Sequence, residues 1–180
     1  SDVYKRQASF YVACELYKEM LVQPSAKLGL ATGGTMEQVY SELVNLLVKN
    51  DLDVSNIETF NLDEYIGLSA EHKESYHYYM QHHLFSQYPH FDQSKLHIPD
   101  GKATDLDQEV IDYEQRIQQQ GPIDIQLLGI GENGHIGFNE PGTDMHSQTH
   151  VVDLTESTIK ANSYYFDNES EVPRQAISMG

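Results

Sequence analysis

One cysteine, no tryptophan, six prolines and only 11 lysines and arginines are what this 180-residue sequence has least of. A single cysteine, Cys14, cannot close an intrachain disulfide, which fits a protein of a reducing cytoplasm. Its apolar neighbours make it a small core residue on a helix. The few cations stand against 28 aspartates and glutamates, for a formal net charge of -17. Such a chain repels nucleic acid and anionic membrane, so neither is expected as a partner. It repels an anionic substrate at long range as well. A phosphate site here has to be local, made of backbone N–H groups and a few side chains. No apolar run approaches the ~18 residues that span a bilayer, and no N-terminal charged-then-apolar signal segment is visible. What is present, 39% hydrophobic and 22% charged residues, suits one globular domain with a real core.

Hydrophobic periodicity predicts strands alternating with helices. Helices are expected over residues 8–22, 36–48, 74–88 and 105–119. Short apolar strands are expected over 27–31, 57–62, 95–98 and 123–128. Val151 and Val152 extend toward Asp153, and Thr155 can cap a short helix. Residues 1–7 (SDVYKRQ) share no pattern with the rest of the chain and read as a possible non-native leader, leaving one domain over 8–180. The closing AISMG reads as an interrupted strand, so the domain is expected to be incomplete at its C-terminus. The fold class expected is α/β, with an open, mostly parallel, Rossmann-like sheet and helices on both faces. In such sheets ligands bind beyond the carboxyl ends of strands. Three segments leave strands at that edge: Thr32 to Thr35, Asp63 to Tyr65, and Gly129 to Glu140. Their polar groups are expected to converge on one crevice.

Each segment carries its own chemistry. Thr32-Gly33-Gly34-Thr35 before a helix has the parts of a phosphate cradle, because glycines admit an anion and the first N–H groups of the helix point at it. The P-loop lysine is absent. Asp63, just after an apolar strand, suits a general base; a lone Asp there is more often a cap. In LLGIGENGHIGFNEPG, His135 can move a proton near neutral pH, and Glu140, five residues on, can orient its ring. The same string matches G-x-G-x-x-G with Asp153 downstream. The dinucleotide reading fails because Gly137, Asn139, Pro141 and Gly142 stand where a helix must open. Nine histidines raise the question of a metal. No H-E-x-x-H or Cys/His set exists, and the adjacent His82 and His83 point to different faces of a helix. Tyr76, within Ser75-Tyr76-His77-Tyr78-Tyr79, belongs to an aromatic cluster that packs on the sheet.

Taken in order, LGLATGGT, NLDEYIGL, ESYHYYM, LGIGENGHIGFNEPG and ANSYYFDN resemble the glucosamine-6-phosphate deaminase (amino-sugar isomerase/deaminase) family over about residues 8–180. The specific part is NLDEY together with GHIGFNEP. The resemblance implies a small amino-sugar phosphate as substrate, with no metal and no organic cofactor. It places the phosphate on Thr32, Gly33, Gly34 and Thr35, gives ring opening to His135 oriented by Glu140, and gives C2 proton abstraction to Asp63. Asn133 and Gly134 match the catalytic loop, and Tyr76 matches a tyrosine set against the substrate. The sequence leaves oligomeric state and the substrate epimer open.

Three departures from the family pattern qualify this. Met36 replaces a proline that is favoured but dispensable at a helix start. Tyr164 stands where the family usually has an arginine that clamps the phosphate; tyrosine brings one hydrogen bond but neither charge nor a bidentate fork. Family members also continue beyond Gly180, through a further strand, helices and a phosphate-contacting lysine. Weak substrate binding is therefore expected. Two rivals use the same scaffold: a 6-phosphogluconolactonase-type hydrolase, in which Asp63 has no task, and a non-catalytic sugar-phosphate sensor, which has no need of an acid/base set.

Overall fold

The structure, a computed structural model, describes residues 2–129 and 148–180. It is an α/β fold with a parallel sheet flanked by helices. The described residues fall into two compact units. The first takes in residues 2–61, 79–97 and 121–129, the second 62–78, 98–120 and 148–180.

The first unit opens with α1 (Asp2–Val22). The helix starts six residues before the expected position; no Gly or Pro interrupts residues 2–7, so nothing stops it extending to Asp2. Ser9, Ala13, Leu16 and Met20 form its buried stripe at spacings of three and four, as a one-sided helix requires. After β1 (Lys27–Leu30) comes α2 (Gly34–Asn50), which buries Val39, Tyr40, Leu43 and Leu47. Asp51 ends α2 in the left-handed conformation, φ 49°, with its N–H on the carbonyls of Leu47 and Val48, a C-cap geometry that Asp tolerates. β2 (Glu58–Asn61) is buried at every position, the expected state of a strand inside a parallel sheet. With β4 (Leu96–His97) and β5 (Ile125–Gln126) these strands make a parallel sheet in the order β4-β2-β1-β5. Register runs Lys27 opposite Glu58 through Leu30 opposite Asn61. Glu58 is buried, and its carboxylate takes Lys27 Nζ at 2.9 Å and His97 Nε2 at 2.6 Å. Burial pushes its pKa up, but those two hydrogen bonds outweigh it and hold the pKa below the usual value,.

The second unit holds β3 (Asp63–Tyr65), α4 (Leu106–Gln120), β6 (His150–Asp153), α5 (Glu156–Asn162) and β7 (Gln175–Ser178). Here β3 and β6 both pair antiparallel with β7. Ala176, Ile177 and Ser178 of that central strand are completely buried. The apolar stretch near the chain end is thus a strand, in agreement with its sequence. Its antiparallel sheet is not evident from sequence, because β3 pairs with β7 across more than a hundred positions and α5 with two 3-10 turns separates β6 from β7. Thr155 caps α5 as expected, its hydroxyl accepting the Thr158 N–H at 3.2 Å. The helix expected over 74–88 is shorter: α3 (Tyr76–Met80) passes into a π-helical turn over Gln81–Phe85. Such a turn buries Leu84 and Phe85 while leaving His82 exposed and His83 half-buried against the Tyr79 ring,.

Candidate active site

In the first unit, the chain leaving β1 turns at Thr32 into α2. Gly33 occupies the N-cap with φ 116°, a conformation that excludes ordinary side chains. Gly33 brings no side chain to cap the helix start, and the Met36 N–H turns back to the Gly33 carbonyl at 3.1 Å. Gly34 has open space where a Cβ would stand, and Gly33, Gly34 and Thr35 are exposed while Thr32 is half-buried. Two tyrosines hold the loop by its backbone. Tyr40 brackets Ala31, its hydroxyl donating to the carbonyl at 2.5 Å and accepting the N–H at 3.3 Å. Tyr79 donates to the Gly33 carbonyl at 2.5 Å. Burial, with the Glu37 charge adding, raises the Tyr79 pKa, so it stays a donor.

In the second unit, β3 carries three polar side chains, all buried: Asp63 at 5%, Glu64 at 1% and Tyr65 at 7% exposure. Side chains alternate along a strand, so Asp63 and Tyr65 lie on one face of β3 and Glu64 on the other. Burial pushes the Asp63 carboxyl up to about 8, and the Glu64 charge adds to the shift,. Tyr65 is pushed up to about 12 by burial, against a hydrogen bond with Tyr76, with the charges of Asp63, Glu64 and Glu74 adding. The Tyr65 and Tyr76 rings meet at 4.9 Å between centroids. A buried carboxyl raised this far can exchange a proton near neutral pH.

Glu64 lies within NLDEY, a motif that assigns it no task of its own, and it is heavily bonded. One oxygen accepts the N–H groups of Tyr65 at 2.8 Å and Tyr76 at 2.9 Å. The other accepts the His77 N–H at 3.0 Å and lies 2.7 Å from His77 Nδ1. Ser75 completes the start of α3, its hydroxyl accepting the Tyr78 N–H at 3.0 Å and donating to the Ala70 carbonyl at 3.0 Å. The sequence signal for Glu64 is its place in NLDEY; what it bonds to is not legible there, because its partners in α3 lie 12 and 13 residues on.

Asp63 and Tyr76 are therefore tied into one cluster through Glu64 and Tyr65. Tyr164, on a 3-10 turn over Ser163–Tyr165, is 87% exposed and packs edge-on against Tyr165. His135, Glu140, Asn133 and Gly134 lie outside the described residues. Among the described residues no group of three or more His, Cys, Asp or Glu is placed to hold a metal ion, and no helix is long and apolar enough to cross a membrane.

Residues 3–163 match the family described as glucosamine-6-phosphate isomerases/6-phosphogluconolactonase. A glucosamine-6-phosphate deaminase of Staphylococcus saprophyticus is 70% identical over 173 residues, covering 96% of this chain and 72% of that protein. Among solved structures, a monomeric glucosamine-6-phosphate deaminase superposes with a TM-score of 0.93 at 46% identity, covering 98% of this chain and 73% of that one. The 6-phosphogluconolactonase of Thermotoga maritima superposes at 0.71 with 17% identity, over 95% of this chain and 72% of that one. This last likeness is one of fold.

Proposed function

Because the chain belongs to the family of glucosamine-6-phosphate isomerases and 6-phosphogluconolactonases, we propose that it isomerises and deaminates glucosamine 6-phosphate to fructose 6-phosphate and ammonia. The carrying observation is Asp63, an enclosed carboxyl with a raised pKa in a chain 70% identical to a named deaminase. Lactone hydrolysis breaks no C2–H bond and leaves Asp63 without a task.

In this reading the phosphate sits at the N-terminus of α2, between Thr32 and Thr35, where the helix dipole and backbone N–H groups favour an anion. His135, oriented by Glu140, carries the proton that opens the pyranose, with Asn133 and Gly134 alongside in the same loop. Asp63 removes the C2 proton of the open aldehyde form. The C–H electron pair becomes the C1=C2 bond as the carbonyl pair moves to O1, which takes up a proton, giving an enolamine. A proton is then delivered to C1 while the nitrogen lone pair forms the C2 iminium. The C2 iminium then takes up water and releases ammonia, leaving the ketone of fructose 6-phosphate. The substrate's own nitrogen makes the C2 proton transferable, so the chemistry calls for no metal or organic cofactor. The substrate's ammonium also answers the raised pKa of Asp63, since a cation beside C2 favours the ionised base. Tyr76, its ring tilted against that of Tyr65, is the aromatic contact for the sugar. Tyr164 brings no positive charge to the phosphate, so a high KM accompanies this reading. The cytoplasm, where a free Cys14 persists, is the compartment it assigns.

Two substrates offered to the same preparation test this. The reading expects fructose 6-phosphate and ammonia from glucosamine 6-phosphate and no acceleration of 6-phosphogluconolactone hydrolysis. The reverse pattern would move the chain to the lactonase branch.

A further inference from the structure

We propose that Glu64 is a positioning residue: its carboxylate holds the start of α3 against β3, and so sets where the Tyr76 ring stands relative to the face of β3 that carries Asp63. This rests on the reading of Asp63 as the C2 base and Tyr76 as a substrate contact, and it assigns a task to a residue which that reading leaves idle.

The case is one of reach. Asp63 and Tyr65 share a face of β3; Glu64 points the other way. α3 and the π-helical turn that continues it have ten residues together and begin 11 residues after the strand ends. A helix this short has little stability of its own, so its placement depends on external bonds. Glu64 supplies them to the first two positions, taking the N–H groups of Tyr76 and His77, and Ser75 takes the third, that of Tyr78. With the Tyr76 backbone fixed to one face of β3, its ring reaches the other, meeting Tyr65 at 4.9 Å. Glu64 is 1% exposed, and four contacts satisfy its two oxygens, the condition under which a buried carboxylate is tolerated. His77, 31% exposed through its side chain, supplies the partner at the fourth contact. The backing of β3 is equally tight. Gly101 lies where a Cβ would stand 1.9 Å from the Tyr65 carbonyl oxygen, and its own carbonyl accepts the Gly67 N–H at 2.9 Å. Gly101 thus packs directly against the β3 backbone on that side.

Two variants separate reach from charge. Glu64→Gln keeps the length but turns one acceptor into a donor and removes the charge. Glu64→Asp keeps the charge and shortens the reach by one methylene. Amide exchange by NMR is expected to show lost protection at Tyr76 and His77 in both, with Tyr40 and Phe60 unchanged. The Asp63 carboxyl, followed by carbon-13 NMR, is expected to titrate lower in Glu64→Gln and to stay raised in Glu64→Asp. Where the parent turns over, both variants lose kcat/KM on the order of 10²-fold, the scale for a misplaced contact, and the base limb of the pH profile moves acidward in Glu64→Gln alone. Unchanged protection at Tyr76 and His77 overturns the proposal. So does failure of both variants to fold, which would make Glu64 a folding residue only. The NMR results do not need turnover: a parent that folds but releases no product sinks the deaminase reading while these results still decide the role of Glu64.

Discussion

Asp63 illustrates how a buried group ties function to stability. Its carboxyl is held up to about 8 in the folded chain, against about 3.9 in an unfolded one. A folded pKa above the unfolded value means the native state binds the proton more tightly. The stabilisation is full below about pH 4 and is lost as the pH rises through about 8. Asp63→Asn removes this loss. The variant is expected to outlast the parent in urea at pH 9 by roughly a few kcal/mol, with the advantage shrinking toward pH 4; equal pH dependence in the two would refute a raised Asp63. Tyr164 makes a second residue-scale prediction. Tyr164→Arg returns the charge and the bidentate fork that the family uses on phosphate. KM for glucosamine 6-phosphate is expected to fall about tenfold or more, as for a gained charged hydrogen bond, with kcat little changed. An unaltered KM would show that this position has left the phosphate.

At the scale of elements, β3 is only three residues long, yet Asp63, Glu64 and Tyr65 are all buried and all engaged in the cluster. Gly101 packs directly against the Tyr65 carbonyl on one side of that strand. Gly101→Ala is expected to destabilise the protein by about 1–3 kcal/mol, the cost of overpacking against backbone, and to lower turnover as β3 shifts. A neutral Gly101→Ala in thermal melts would mean that the backbone gives way cheaply there. The elements also show what a sequence reveals and what it hides. β1, α2 and β2 are legible because apolar residues recur with the helix period or in an unbroken run between polar turns. So is the exit of β1 at Gly33, where only glycine suits the backbone. β3 reads as the polar end of a strand, and its pairing with β7 rests on contacts across more than a hundred residues. Local pattern carries no information about such pairing. The role of Glu64 escapes notice for the same reason: an acid's hydrogen-bond partners are set by how the chain folds back, not by its neighbours. The loop from Asn133 to Glu140 is legible only as chemistry, by its His, Glu and glycines, and lies outside the described residues.

At the scale of the whole molecule, 28 acidic and 11 basic side chains leave a net charge of -17. A phosphorylated sugar approaches this field against repulsion, and the range of that field depends on salt. The Debye length contracts from about 30 Å at 0.01 M to about 8 Å at 0.15 M. kcat/KM for glucosamine 6-phosphate is therefore expected to rise several-fold between those ionic strengths in a salt whose anion competes poorly for phosphate sites. A steady fall would reveal a local positive field strong enough to overcome the rest. Family membership and a TM-score of 0.93 to a deaminase agree with the α/β architecture expected from the alternation of strands and helices.

The most direct test of the account is the release of fructose 6-phosphate and ammonia from glucosamine 6-phosphate by this chain and by Asp63→Asn, with circular dichroism establishing that both are folded. Release by the parent, reduced at least 10²-fold in the variant as expected on loss of a general base, is the predicted result. Equal release by both would contradict the assignment of Asp63 as the base, and no release from a folded parent would contradict the deaminase reading itself.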